Sequence, residues 1–396
     1  MSLLATAVLA PPALLLTAVL LDEAWVLWAG RLDRRQPLDA PGLSGAPRCA
    51  LLVAAHDEAD ALPGLFASLR ALDYPADRME VFVVADRCTD ASADLARAAG
   101  VRVLERGADA PPGKGPALND LLQWMAPWRE ACDAFIVLDA DVRPDPSWLR
   151  AMLATHQAGY PVVQGASFTR RPGGSDLAAL AQAAQQAQHR VQCGRMRLGL
   201  QNLIIGNTLL VGRDVLQALE WRCAWHTPTE EEIKLALIER GVPIGYAAAA
   251  RVEEEAVPTV GELAQQRSRW FRDHVFYLKQ APRLIGRALW RRQWRQAEAG
   301  LAHLVMSSHT LELMAFVAYA ALAGFVGSGA WRAVGIALLA GKLVLGVQLA
   351  RGAGLSWREL LGLAWRLPLL GLGWLWGAAR HLAGAEEAWS HTRHRG

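Results

Sequence analysis

Three short apolar runs, each ending at an acidic or polar residue, constrain this chain more than any other feature. Cys49–Ala55 ends at His56-Asp57-Glu58, Val81–Ala85 ends at Asp86, and Phe135–Leu138 ends at Asp139. Short apolar runs bounded by polar or turn residues read as strands buried on both faces. Helical stretches over Ala59–Leu72 and Ala91–Ala99 lie between them. Strand, helix, strand at this spacing predicts right-handed crossovers and an α/β domain with a mostly parallel sheet. Ligands of such sheets bind beyond the carboxyl ends of the strands, where His56, Asp86 and Asp139 fall.

The flanks read differently. Of the 396 residues, 53% are hydrophobic, and the mean hydropathy is +0.14. A soluble enzyme is usually more polar, so part of the chain is expected in lipid. Leu3–Gly30 is apolar apart from Asp22 and Glu23, long enough to span a bilayer. No basic residue precedes it and it is long for a cleaved signal. Arg31, Arg34 and Arg35 follow; basic flanks stay cytoplasmic, which places the N-terminus outside and residue 31 onward in the cytosol.

Leu301–Val326 and Ala333–Leu349 read as two more spans, the second returning inward at Arg351. Leu360–Ala378 carries Trp365, Arg366, Pro368, Trp374 and Trp376, and Arg283–Arg295 carries Trp290 and Trp294 among arginines. Both read as interfacial. The expected organisation is therefore a transmembrane helix (1–30), a cytosolic domain (31–280), an amphipathic interfacial helix (281–297), two transmembrane helices (298–351), and an interfacial or re-entrant segment with a basic tail (352–396). That describes a multi-pass protein of the inner (plasma) membrane with its catalytic domain in the cytoplasm.

Composition excludes some classes. A net charge of +3, with no arginine-rich nucleic-acid motif, gives no reason to expect a nucleic-acid partner. Five scattered cysteines without a C-x-x-C pair argue against a disulfide framework or a zinc site.

Asp139-Ala140-Asp141 carries the strongest chemical meaning. Two carboxylates two residues apart, just past a buried strand, can hold a hard divalent cation such as Mg²⁺ together with phosphate oxygens. Gly113-Lys114-Gly115 lacks the spacing of a P-loop. Its lysine reads either as pointing at a diphosphate or as an ordinary turn residue. Gln266-Arg267-Ser268-Arg269-Trp270 offers a guanidinium fork for phosphate and an indole for stacking.

Taken in order, Val83–Asp90 with Asp86, Gly113–Asn119 with Lys114, Leu138–Asp141 and Gln266–Trp270 resemble the motifs of family 2 glycosyltransferases. The likeness is to the membrane-bound branch that includes cellulose, chitin and hyaluronan synthases and bacterial polysaccharide and glycolipid transferases, and it covers roughly residues 48–280. It implies a GT-A type nucleotide-sugar-binding domain. It also implies donor contacts from Ala55, His56, Glu58, Asp86, Lys114, Asp139, Gln266, Arg269 and Trp270. Mg²⁺ or Mn²⁺ would sit on Asp141 with Asp139. The acceptor would be lined by Gly206, Asn207 and Trp270, although Gly206-Asn207 reads equally as a plain turn before a strand at Thr208–Val211.

Two departures stand out. The family places Thr-Glu-Asp at the catalytic base, whereas this chain has Thr229-Glu230-Glu231-Glu232. Matching letter by letter makes Glu231 the base; counting back from Gly241 makes it Glu230. The same acids suit a helix N-terminus, with Thr229 as cap and Glu232 in a capping box. The loop after the first strand has His56-Asp57 where the family often has Asn before Glu.

The resulting expectation is an inverting, metal-dependent glycosyltransferase. It would move a sugar from a nucleotide sugar, a UDP-sugar first, to a lipid-linked or membrane-proximal saccharide acceptor. Rival readings are a processive polysaccharide synthase, which from so few spans would need a homo-oligomer or a partner, and a catalytically impaired nucleotide-sugar-binding membrane subunit.

Overall fold

The computed structural model describes residues 3–31, 42–170, 176–224, 231–255, 260–306, 309–352 and 354–362, with 372, 375, 376 and 379. The chain opens with helix α1 (Leu3–Arg31) and then alternates β1 (Cys49–Ala55), α2 (Leu62–Arg70), β2 (Met79–Asp86), α3 (Ser92–Ala98), β3 (Arg102–Arg106), α4 (Lys114–Trp124), α5 (Ala126–Arg129) and β4 (Ala134–Leu138). There follow β5 (Arg143–Pro144), α6 (Trp148–Gln157), β6 (Val162–Arg170), α7 (Asp176–Arg197), β7 (Thr208–Gly212), α8 (Arg213–Ala218), α9 (Glu231–Glu239) and β8 (Ile244–Glu255). Then come α10 (Val260–Trp290), α11 (Trp294–Met306), α12 (His309–Val326) and α13 (Gly329–Gly352).

The strands form one sheet in the order β3-β2-β1-β4-β7-β6-β8-β5. β1 pairs in parallel with β2 and β4, β2 with β3, and β6 with β8. β7 runs antiparallel to both neighbours, and β5 is antiparallel to β8. The sheet is thus the expected α/β arrangement, parallel through its first half and mixed beyond it. The helix before β7, α7, packs along α1 as well as against β6 and β8.

Every residue of β1 is buried. Side chains alternate across a strand, so Leu51 and Val53 join a core with Leu65, Ile136, Trp148 and Met152 on one face. Leu52 joins Phe82, Leu118, Phe135 and Leu237 on the other. Helices cover both faces, so no polar residue is required within the run. Each fully buried Leu or Val here stabilises the fold by about 1.5–3 kcal/mol.

Outside the sheet domain, Ala5–Arg31 and Gly329–Gly352 are long and apolar enough to cross a membrane, while Glu312–Val326 is apolar but shorter. Within the run Leu301–Val326 the described residues are helical, through Met306 in α11 and from His309 in α12. These helices meet on a buried ion cluster. Lys342 Nζ lies 2.7 Å from both Glu23 Oε2 of α1 and Glu312 Oε2 of α12. Removing one partner of such a cluster leaves a buried charge uncompensated, so it ties α1 to the α12–α13 pair.

The segment 281–297 is shared by two helices that meet at a corner. α10 runs through it to Trp290, and α11 restarts at Trp294. Arg292 takes a left-handed φ of 58°, and Gln293 N–H donates to Ala288 O at 2.8 Å. This is a Schellman-type stop, with arginine in the position glycine usually holds. Most of the stretch Leu360–Ala378 and all of the basic tail lie outside the described residues.

Candidate functional site

The site forms where the loops after β1, β2 and β4 meet the Gly206-Asn207 turn. Ala55 is the last, buried residue of β1. His56 follows, and its Nδ1–H donates to the carbonyl oxygen of Asp86 (2.7 Å), which joins the ends of β1 and β2. Asp57 adopts a left-handed φ of 55°. Its Oδ1 accepts from Thr89 N–H at 2.6 Å and Asp90 N–H at 3.3 Å. Glu58 contributes its backbone N–H to Ser92 Oγ at 2.8 Å. The two loops are thus one hydrogen-bonded unit.

Asp86 is completely buried. One carboxylate oxygen is ion-paired to Arg106 Nη1, and the other lies 3.3 Å from Arg87 Nε. Arg106 also donates to Asp120 Oδ2 at 2.7 Å and to Pro111 O at 2.9 Å. Asp86 therefore sits at the predicted strand end with its charge already matched by arginines. Arg106, at the end of β3, was not singled out in the sequence; an arginine closing a short strand gives little signal by itself.

Lys114 begins α4, preceded by Gly113 at φ 124°, a conformation side chains avoid. Its ammonium donates to Asp139 Oδ1 at 2.7 Å and to Gly206 O at 3.0 Å. Gly206 has φ 107°, which turns that carbonyl toward the lysine. Asp139 N–H in turn donates to Asn207 O at 3.3 Å. Three separate sequence motifs are therefore in direct contact.

Asn207 is buried and donates through Nδ2 to Glu254 Oε2 at 2.9 Å. Glu254, near the end of β8, also accepts from Gln185 Nε2 of α7. Burial first, and the charges of Asp141 and Asp139 after it, push the Glu254 carboxyl up to about 7, against the hydrogen bond from Asn207 that holds it down. A third acid thus faces the Asp139-x-Asp141 pair. Its signal in the sequence was the run Glu253-Glu254-Glu255 at a strand end.

The loop before Gly206 is held from several sides. Gln164 of β6 accepts from Ile205 N–H at 2.9 Å and donates to Thr208 O at 3.1 Å. Gln192 of α7 exchanges bonds with Leu203: its Nε2 reaches Leu203 O at 2.6 Å and its Oε1 accepts Leu203 N–H at 2.9 Å. Ile204 N–H donates to His303 Nε2 of α11 at 3.3 Å. α7 itself is pressed onto α1 where Gly30 and Gly194 meet, each leaving room for the other helix's backbone. The loop is therefore built onto the helices that bear the apolar segments.

Of the two base candidates, Glu231 starts α9, and its carboxylate lies 2.5 Å from Lys234 Nζ. Glu230 lies outside the described residues. Gln266, Arg269 and Trp270 all fall on α10. Gln266 is half-buried and Trp270 is 42% exposed; the Arg269 side chain lies outside the described residues.

Residues 47–273 match the family model described as "Glycosyltransferase like family 2". The curated protein "Beta-monoglucosyldiacylglycerol synthase" of Synechocystis is 30% identical over 280 residues, covering 62% of this chain and 55% of the relative. The chain thus spans about half the length of that relative. Among solved structures, "Mannosyltransferase PcManGT from Pyrobaculum calidifontis in complex with GDP-Man and Mn2+" superposes over 96% of this chain and 100% of that one, with a TM-score of 0.56 and 17% identity. Glucosyl-3-phosphoglycerate synthase from Mycobacterium tuberculosis, in complex with Mn2+, UDP and phosphoglyceric acid, covers 53% of this chain and 69% of that one at 20% identity, with a TM-score of 0.36.

Proposed function

Because the chain belongs to the glycosyltransferase-like family 2, we propose that it transfers a sugar, with inversion, from a nucleoside-diphosphate sugar to a hydroxyl of a lipid or lipid-linked acceptor at the cytosolic face of a membrane. The observation that carries the reading is the convergence of Lys114, Asp139 and Gly206 within 3.0 Å at the strand ends. It joins a cation for phosphate, an acid of the D-x-D pair and the loop facing the acceptor. The relative named as a monoglucosyldiacylglycerol synthase supports a glycolipid product. The apolar helices α1 and α13 support membrane attachment. A UDP-sugar is the donor class assigned.

The donor set fits a divalent cation. Asp139 and Asp141 offer hard oxygens, and Glu254 is pushed toward neutrality by its burial first and by their negative charge after it, a charge that a cation would offset. Bound Mg²⁺ or Mn²⁺ would supply charge neutralisation for the departing diphosphate. This chain's own residues do the rest. Lys114 holds Asp139 in place and brings a second positive charge to the same point. The paired loops after β1 and β2 frame the nucleotide. Glu230 or Glu231 takes the proton from the acceptor hydroxyl as it attacks the anomeric carbon. The engagement of Glu231 with Lys234 favours Glu230.

The test is to incubate the purified full chain, reconstituted in vesicles, with a panel of UDP- and GDP-sugars, Mn²⁺ or Mg²⁺, and diacylglycerol or a lipid-linked saccharide, and to size the product. One sugar added to a lipid supports the reading. A long polymer would replace it with processive synthesis, and no transfer with any donor would leave a nucleotide-sugar-binding subunit.

A further inference from the structure

The corner between α10 and α11 carries charge that the transfer site does not use. From Lys279 to Arg295 the chain has six basic residues, Lys279, Arg283, Arg287, Arg291, Arg292 and Arg295, and no acidic one. The whole chain has a net charge of only +3, so this segment more than accounts for it. Lys279, Arg283, Arg287 and Arg291 recur every four residues, which puts them along one helical face. The buried face is separate, formed by Tyr277, Ala281, Leu284 and Ala288. All six basic residues are exposed. Arg287 is engaged by Glu239 at 2.7 Å, which leaves the others as the outward charge.

Exposed indoles stand among these cations. Trp290 is 89% exposed and Trp294 65% exposed, on either side of the helix break at Arg291-Arg292. The break is the feature that matters. An uninterrupted helix would carry its side chains along a rod, whereas the stop at Arg292 gathers Trp290, Arg291, Arg292, Trp294 and Arg295 at one projecting tip. Indoles favour the headgroup level of a bilayer and guanidinium groups favour phosphate oxygens. From this corner α11 leads directly to the apolar helices α12 and α13.

We propose that the α10–α11 corner is a docking surface for anionic lipid headgroups, with Arg283, Arg291, Arg292 and Arg295 binding the phosphate charge and Trp290 and Trp294 seated beside them. The proposal rests on the reading of the chain as a membrane enzyme. Charge complementarity selects the occupant: a run of cations without one carboxylate matches a negatively charged leaflet, and a zwitterionic surface offers it no net attraction. Each arginine removed should weaken the preference for anionic lipid roughly fivefold, and salt should weaken it too.

The test uses the full chain reconstituted in vesicles that contain either brominated phosphatidylglycerol or brominated phosphatidylcholine at equal bromine content. Wild-type tryptophan fluorescence should be quenched more by the brominated anionic lipid. That excess should vanish in a Trp290→Phe/Trp294→Phe variant, in an Arg283→Gln/Arg291→Gln/Arg292→Gln/Arg295→Gln variant, and at high salt. Equal quenching of the wild type by the two lipids overturns the proposal, as does an excess that survives the arginine variant. Flotation separates this from failure of the premise. A chain that does not float with vesicles overturns the membrane reading, and with it the docking surface. A chain that floats without preferring the anionic lipid overturns the docking surface alone.

Discussion

Lys114 places its ammonium 2.7 Å from Asp139 Oδ1, across 25 residues of sequence, and the same nitrogen reaches the carbonyl of Gly206 at 3.0 Å. One side chain thereby fixes the position of the first D-x-D carboxylate relative to the turn at Gly206. Lys114→Met keeps the bulk of the stem and removes the charge. Transfer should fall roughly 10²-fold, the size of effect seen when one preorganised donor is removed. A thermal scan of the same variant should show a shift of only a few degrees, because Lys114 and Asp139 are both partly exposed. Full turnover by this variant would mean that the ammonium has no part in the chemistry.

Asp141 differs from Asp139 in its surroundings. Its charge acts on Arg143 of β5 and on Glu254 of β8. Asp141→Asn should abolish transfer and also the thermal stabilisation by Mn²⁺ with a nucleoside diphosphate. The apoprotein should unfold at close to the wild-type temperature. A variant that still gains stability from Mn²⁺ would move the cation elsewhere.

Glu230→Gln and Glu231→Gln separate the base candidates. Only one should lose activity by several orders of magnitude, and the engagement of Glu231 with Lys234 points to Glu230. Donor binding, read by thermal shift with UDP, should survive in both. If both variants retain full rate, the base is neither residue.

The sequence carried the strands more faithfully than the contacts between them. Cys49–Ala55 was legible to the residue because a strand buried on both faces must be apolar throughout. The meeting of Lys114, Asp139 and Gly206 was not legible: each lies in its own motif, and no local pattern encodes a contact across 92 residues. Asn207 reads from sequence as a turn or acceptor residue. Its hydrogen bond to Glu254 is visible only once β8 is placed beside β6. The corner at Arg292 was hidden for a different reason. Its helix stop lacks the glycine that usually marks a left-handed cap, so the periodicity seemed to continue to Arg295.

Gly194 is a sharper test of how the site is attached to the apolar helices. A Cβ there would overlap the carbonyl oxygen of Val26, and one at Gly30 would overlap that of Arg190. Gly194→Ala must therefore push α7 away from α1 and should lower stability by about 1–3 kcal/mol. α7 carries Gln192, which binds the chain at Leu203, and Gln185, which binds Glu254. KM for the acceptor should rise along with the loss of thermal stability. Gly286→Ala, with open space around it, serves as the control and should change neither.

Glu254 gives the chain a pH dependence of defined sign. Its carboxyl is raised from 4.5 to about 7 in the folded chain, so the folded state binds this proton more tightly than the unfolded state does. Below pH 4.5 both states hold the proton and Glu254 has no effect on stability. As pH rises from 4.5 to 7 the unfolded state loses its proton first, and stability falls; above 7 the loss is complete. The span of the shift sets an upper bound of about 3 kcal/mol, reduced in practice by solvent at this partly exposed residue. The unfolding temperature of the metal-free chain should accordingly drop across this window, and Glu254→Gln should flatten the drop, since glutamine carries no charge to bury. Mn²⁺ with UDP should flatten it in the wild type as well, by supplying the positive charge that the three acids lack. Parallel curves for wild type and Glu254→Gln would show that the titration belongs to another group.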